Sequence, residues 1–267
     1  ELIELDYFRL IDQKIISDLV RAVALRTVSS GEVTLWVRQR RQSHWYGEYR
    51  HLYKSVDYEA QFIHILSETN LTMESLADGV QRYSCFWYQL DQLYRKYIFH
   101  MRMSGQASLM EELTNQIENH YSNNFLLKLG DRFQSFVDEA SKWDSAPVPL
   151  QKYFFVRWVN PFLKKENKVC VIISDAMRYE IGDELLSLIR QEDRYSADLE
   201  VVLSMLPSYT QLGMAALLPN KDLVIAENES GTVLVDGQSS QGLVNRIKIL
   251  NQKINKRSTA LKTEELL

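Results

Sequence analysis

The stretch that most constrains this 267-residue chain is Val-Cys-Val-Ile-Ile at residues 169–173. Five apolar, mostly β-branched residues in a row carry no helical period, which is the pattern of a strand buried on both faces. Directly after it, Met177, Ile181, Leu185, Leu188 and Ile189 recur at spacings of three and four, so a helix is expected there. Asp175 falls at the junction, where open α/β sheets place their ligands. The design then repeats. Residues 199–205 read as a second buried strand, Leu-Pro-Ser-Tyr-Thr (206–210) turns out of it, and a short apolar helix over 211–218 stops at Pro219. Ser208 or Thr210 is placed to cap that helix, presenting a hydroxyl near free backbone N–H groups. A carboxylate and a hydroxyl at two such junctions of one sheet can face a single phosphate or metal.

The first half of the chain is of another kind. Residues 1–146 contain no proline and only five of the ten glycines, and are rich in Leu, Gln, Glu and Arg. That composition is helical. Amphipathic patterns are expected over 3–25, 33–45, 58–66, 76–100, 109–121 and 125–140, with Cys85, Leu90, Leu93, Tyr97 and Ile98 on the buried side of the fourth. Asp-Ser-Ala-Pro-Val-Pro (144–149) is the dense turn signal that separates this all-α region, 1–146, from an α/β region, 147–267. Beyond Pro219, residues 223–226 and 232–235 read as short strands and 242–254 as a basic helix. The last ten residues read as a frayed helical end.

A net charge of −4 and a pI near 5.8 argue against a general polyanion binder, although a local basic face is compatible with them. Two cysteines, Cys85 and Cys170, are too few for a disulfide framework and point to a reducing cytoplasm. No apolar run approaches the ~20 residues of a membrane span.

Asp-Ala-Met-Arg-Tyr-Glu (175–180) after a buried strand, followed by Pro-Ser-Tyr-Thr-Gln-Leu-Gly-Met-Ala-Ala-Leu-Leu-Pro (207–219), resembles the PglZ family. The likeness covers roughly residues 165–250. That family belongs to the alkaline phosphatase superfamily and is known from BREX-type phage defence. The resemblance implies an α/β alkaline-phosphatase-like domain of which this chain holds the first half. It implies a phosphatase or phosphodiesterase using zinc or a similar divalent ion, with Asp175 as metal ligand and Thr210 as nucleophile that also meets the metal. A phosphate monoester, a phosphodiester, a nucleotide or a nucleic acid would be its substrate, and other BREX proteins such as a DNA methyltransferase its partners. Superfamily sites need further Asp and His ligands. All five histidines (44, 51, 64, 100, 120) precede the motif, and the acids Asp222, Glu227, Glu229 and Asp236 form no ligand cluster. The remaining ligands are expected after Leu267, and this stretch alone is expected to be inactive.

Each singled-out residue also has a structural reading. Asp175 can cap the helix that follows it, and Ser208 is the alternative nucleophile to Thr210. Arg178 can grip a phosphate or pair with Glu180, Asp183 or Glu184. Glu180 reads as helix surface or as the partner of Arg178. Trp36 to Trp45 interleaves aromatics with Arg38, Arg40 and Arg41, either as a nucleic-acid contact or as an amphipathic helix with tryptophans inward and arginines in solvent. The helical region as a whole can serve as a docking module without catalysis.

Overall fold

The computed structural model describes residues 2–254 and 258–265. Seven α-helices come first: α1 (Arg9–Ala24), α2 (Ser30–Arg40), α3 (Tyr46–Glu68), α4 (Leu76–Arg82), α5 (Tyr88–Ser104), α6 (Glu111–Asn119) and α7 (Leu127–Glu139). Then follow α8 (Asn160–Lys164), α9 (Tyr179–Arg190) and α10 (Thr210–Ala216), three short strands β1 (Leu223–Ile225), β2 (Val233–Val235) and β3 (Gln238–Ser239), and α11 (Gly242–Lys253). The chain divides into two compact units. One joins the residues up to Asp138 with Arg178–Ala197; the other joins Glu139–Met177 with the residues from Asp198 onward. A division at 146/147 therefore differs from the packing in two respects: residues 139–146 group with the second unit, and α9 groups with the helices.

In the helical unit α3 is the centre. Its buried Leu52, Tyr53, Val56, Ala60 and Phe62 meet Leu90, Leu93 and Tyr97 of α5, Val33 and Val37 of α2, and Ile15, Ile16, Leu19 and Val23 of α1. Ser29 and Glu32 form a reciprocal capping box at the start of α2, and Gly105, at φ 66°, ends α5. A π turn at Tyr83–Trp87 joins α4 to α5, and another at His120–Leu126 joins α6 to α7. Each inserts an extra residue per turn and shifts the buried face. That is why Cys85, expected inside, is exposed, while Trp87, Leu90, Leu93 and Tyr97 are buried. The Trp36–Trp45 segment is mostly structural. Val37 is fully buried and Trp36 and Trp45 pack against the core, with Arg38 and Arg41 exposed. Arg40 is the exception: it is sealed in the core on Asp12, at 2.6 Å, and Asp12 also accepts from Tyr53 Oη at 2.6 Å.

The second unit has a smaller core of Leu212, Ala215 and Leu218 against Val233, Val235 and Ile249. The expected strands at 223–226 and 232–235 are present as β1 and β2, paired antiparallel with Leu223 opposite Val235 and Ile225 opposite Val233. β2 turns into β3 through Asp236–Gly237, both with positive φ (49° and 83°), as a two-residue hairpin of type I′ requires.

The strands expected at 169–173 and 199–205 are corrected. Among the described residues the first pairs with nothing as a ladder, and Ile172 is 91% exposed. The second is reduced to one parallel bridge between Leu203 and Leu150. A run read as buried on both faces needs paired neighbours and cover on each side, and the three short strands of this sheet lie elsewhere. Cys170, expected in that strand's interior, is accordingly exposed. The helical end expected over the last ten residues is a single 3-10 turn, Thr263–Glu265, with 266–267 outside the described residues.

Candidate metal-binding carboxylate and hydroxyl site

Thr210 is the first residue of α10, and Tyr209, with extended backbone, is the residue that opens the helix. Neither Ser208 nor Thr210 caps it through a side chain. Tyr209 is pinned instead. Its phenol donates to the carbonyl of Gly231 at 3.0 Å, tying the helix start to the β1–β2 loop. Leu212 and Ala215 bury the other face of α10 in the small core. The Thr210 hydroxyl is thus held from both sides while its own side chain remains exposed.

Asp175 lies in the turn after the 169–173 run, next to Ala176 at φ 54°. It does not cap α9, which begins at Tyr179 after Arg178. Asp175 is exposed, and its Oδ2 accepts a hydrogen bond from Thr210 Oγ1 at 3.4 Å. That is longer than the ~2.5–3.0 Å usual for O–H···O, so the pair is loosely engaged, with both oxygens open to solvent. Residues 35 apart in sequence are brought together here, both within the second unit.

The other predicted groups lie elsewhere. Arg178 belongs to the helical unit. Its Nη2 is 3.1 Å from Asp91 Oδ1 and its Nε 2.9 Å from Glu180 Oε1. Glu180 is the partner of Arg178 and is fully buried, not a surface residue. Asp236 is structural: its Oδ1 accepts from the N–H groups of Lys221 and Asp222, and its Oδ2 binds Lys253 at 2.6 Å. Burial works against that carboxylate, yet these donors prevail and hold its pKa at about 2. His51 faces His100, Nδ1 to Nδ1, at 2.7 Å, and Arg50 Nε donates to His51 Nε2. Sequence reasoning missed Asp91, whose signal was slight: one acid between Leu90 and Leu93 on a buried helical stripe.

Asp175 and Thr210 offer two oxygen donors to a divalent ion. Zinc usually takes about four ligands, and among the described residues no group of three His, Cys, Asp or Glu is assembled. The donor chemistry fits a hard or borderline cation, but the pair is a partial set.

The comparisons with known proteins agree on the class that these two residues suggested. A model described as the BREX system PglZ alkaline phosphatase-like domain matches residues 154–267. The alkaline phosphatase-like protein PglZ of Bacillus cereus (strain H3081.97) is 31% identical over 234 residues, covering 86% of this chain and 27% of that protein. The alkaline phosphatase-like protein BrxZ of Escherichia coli O9:H4 (strain HS) is 38% identical over 188 residues, covering 67% of this chain and 21% of that protein. The chain belongs to the PglZ family. It spans about a quarter of the length of the curated relatives it matches. No solved structure matches it.

Proposed function

We propose that this chain carries the opening part of a metal-dependent phosphatase or phosphodiesterase of the alkaline phosphatase superfamily, acting in the cytoplasm within a BREX-type phage defence system. The observation that supports it most is the meeting of Asp175 and Thr210 at 3.4 Å, both exposed and each in a motif of the family-like stretch. Asp175 would be a metal ligand and Thr210 the nucleophile, or a hydroxyl on the metal, with Ser208 the alternative. A bound zinc or similar ion would lower the pKa of a hydroxyl on it and neutralise phosphoryl oxygens. Before any chemistry, Asp175 orients the Thr210 hydroxyl by accepting its hydrogen bond, and Tyr209 holds the helix start in place. The rest of the ligand set, and the rest of an α/β domain, would come from the length of the relatives that this chain does not span. Alone, the chain would bind zinc weakly and turn nothing over.

A second reading makes the helical unit a docking module for other BREX proteins such as a methyltransferase, or for nucleic acid. Tyr7, Phe8 and Leu10, each at least 70% exposed at the start of α1, favour it. One experiment separates the two. Hydrolysis of a chromogenic phosphodiester by the full-length protein with a divalent metal is expected to fall at least about 10³-fold for Thr210→Ala, and far less for Ser208→Ala. Equal rates for Thr210→Ala and wild type would remove the catalytic reading and leave the docking one.

A further inference from the structure

The sequence of α10 does not by itself hold Thr210 in place. The helix has seven residues, and no side chain caps it. A helix that short is marginal on its own. The bond from Thr210 Oγ1 to Asp175, at 3.4 Å, is too loose to fix the hydroxyl. Leu212 and Ala215 anchor the middle of α10, but helix ends fray unless something holds them. What holds this one is the phenol of Tyr209 on the carbonyl of Gly231, at 3.0 Å. The position of Thr210 therefore depends on where that carbonyl is kept.

Gly231 lies in the loop between β1 and β2. The Ala226 N–H on the Thr232 carbonyl, at 2.8 Å, closes the loop at its base. Inside it, the Asn228 N–H reaches the Ala226 carbonyl at 2.8 Å, and the Gly231 N–H reaches the Asn228 carbonyl at 3.2 Å. The Asn228 side chain adds two bonds. Its Oδ1 accepts from Ser230 Oγ at 2.9 Å and from the Thr232 backbone N–H at 3.2 Å. Ser230 Oγ and Thr232 Oγ1 are 2.7 Å apart, and Thr232 is buried. One carboxamide oxygen thus ties together the two residues that flank Gly231. Asn suits the task, since its short side chain can imitate a backbone turn. Asn228 is itself exposed, so its contribution is to the shape of the loop and not to a core.

We propose that Asn228 is a positioning residue for the Thr210 hydroxyl. It sets the Gly231 carbonyl, the carbonyl receives the Tyr209 phenol, and the phenol fixes the start of α10. All of these residues belong to the second unit. The inference rests on the reading of Thr210 as the reacting hydroxyl, and it gives Asn228 no contact with substrate or metal.

The test uses the full-length protein with zinc and a chromogenic phosphodiester. It compares Asn228→Ala, Asn228→Asp, Tyr209→Phe and the combination of Asn228→Ala with Tyr209→Phe. The first helical bond of α10 runs from the Gly213 N–H to the Tyr209 carbonyl at 3.1 Å. Exchange of the Gly213 amide is expected to quicken at least about fivefold in Asn228→Ala and in Tyr209→Phe. In each, kcat is expected to fall about tenfold with KM nearly constant, as when a residue that orients a reacting group is lost. Asn228→Asp keeps an acceptor oxygen for Ser230 and Thr232 and should stay within about threefold of wild type. The combined variant should be no slower than Tyr209→Phe alone, because the two residues act in one chain of contacts.

Losses that multiply in the combined variant would overturn the proposal. So would wild-type exchange and kcat in Asn228→Ala, or an Asn228→Asp as slow as Asn228→Ala. If Asn228→Ala also frees the amides of β2, Tyr209→Phe decides, since it removes a single oxygen: unchanged Gly213 exchange there overturns the proposal. Should Thr210→Ala retain wild-type rates, the catalytic reading fails, while the exchange arm still reports whether Asn228 fixes the start of α10.

Discussion

The two units of this chain solve the folding problem from opposite ends. The helical unit has one large core in which α3 touches most of its neighbours, and two of its buried acids, Asp12 and Asp91, are paired with Arg40 and with the exposed Arg178. The second unit buries a handful of residues around α10 and β2 and leaves its most apolar run, 169–173, in solvent. Local periodicity is enough to close a helical core, because the elements come from contiguous segments. A strand-based core depends on pairing partners distant in sequence. The region richest in structure therefore holds none of the proposed reacting groups, and the region that holds them is the sparser one.

That contrast makes unequal demands on the two cores. Phe62→Ala, at a site with no exposure, is expected to cost about 3–5 kcal/mol in denaturant melts followed by helical signal. Leu212→Ala, in the small core, should cost less than Phe62→Ala and leave the helical transition in place. Equal losses in one shared transition would show that the two cores melt together.

The helical core also contains a carboxyl group with no hydrogen-bond partner among the described residues. Glu59 is fully buried, and burial, aided by Glu112, pushes its pKa up to about 9 despite Arg26. The folded chain thus keeps this proton where the unfolded chain has lost it. The stabilising contribution is complete below the ordinary carboxyl pKa and drains away as pH rises through about 9. Glu59→Gln is expected to raise Tm by on the order of 5 °C at pH 8 and to change little near pH 4. A Tm difference that does not depend on pH would mean that Glu59 is charged and paired in the folded chain.

The smallest effect belongs to Ile172. Ile172→Ser should shift stability by no more than about 0.5 kcal/mol, since a side chain 91% exposed has little burial to lose. A cost of several kcal/mol in this chain would restore the buried-strand reading of 169–173.

How much of this was legible follows the same divide. Each of the six helical patterns falls on a helix, because each buried stripe repeats within a few residues, but the bounds differ: α2 ends at Arg40 rather than 45, and α3 starts at Tyr46, well before the 58–66 pattern. Their register across the π turns was not readable, as Cys85 shows. β1 and β2 were readable as strands, whereas β3 and the Asp236–Gly237 turn that leads into it were not read, because a strand of two residues leaves too short a pattern. The strand at 169–173 was inferred from composition, but whether it pairs depends on distant chain. At the site, Asp175 and Thr210 were marked by their junctions and by a family-like motif; the pairing of Arg178 with Glu180 was among the readings, while its contact with Asp91 was hidden, because Asp91 comes from a segment distant in sequence.

The central claim is that Asp175 and Thr210 share a divalent ion. The direct measurement is a crystal structure of the full-length protein with zinc, the metal located by anomalous scattering. The account predicts a peak within about 2.0–2.2 Å of Asp175 Oδ, with Thr210 Oγ1 in the same coordination shell or directly against it. A fully occupied zinc with neither oxygen among its neighbours would contradict it.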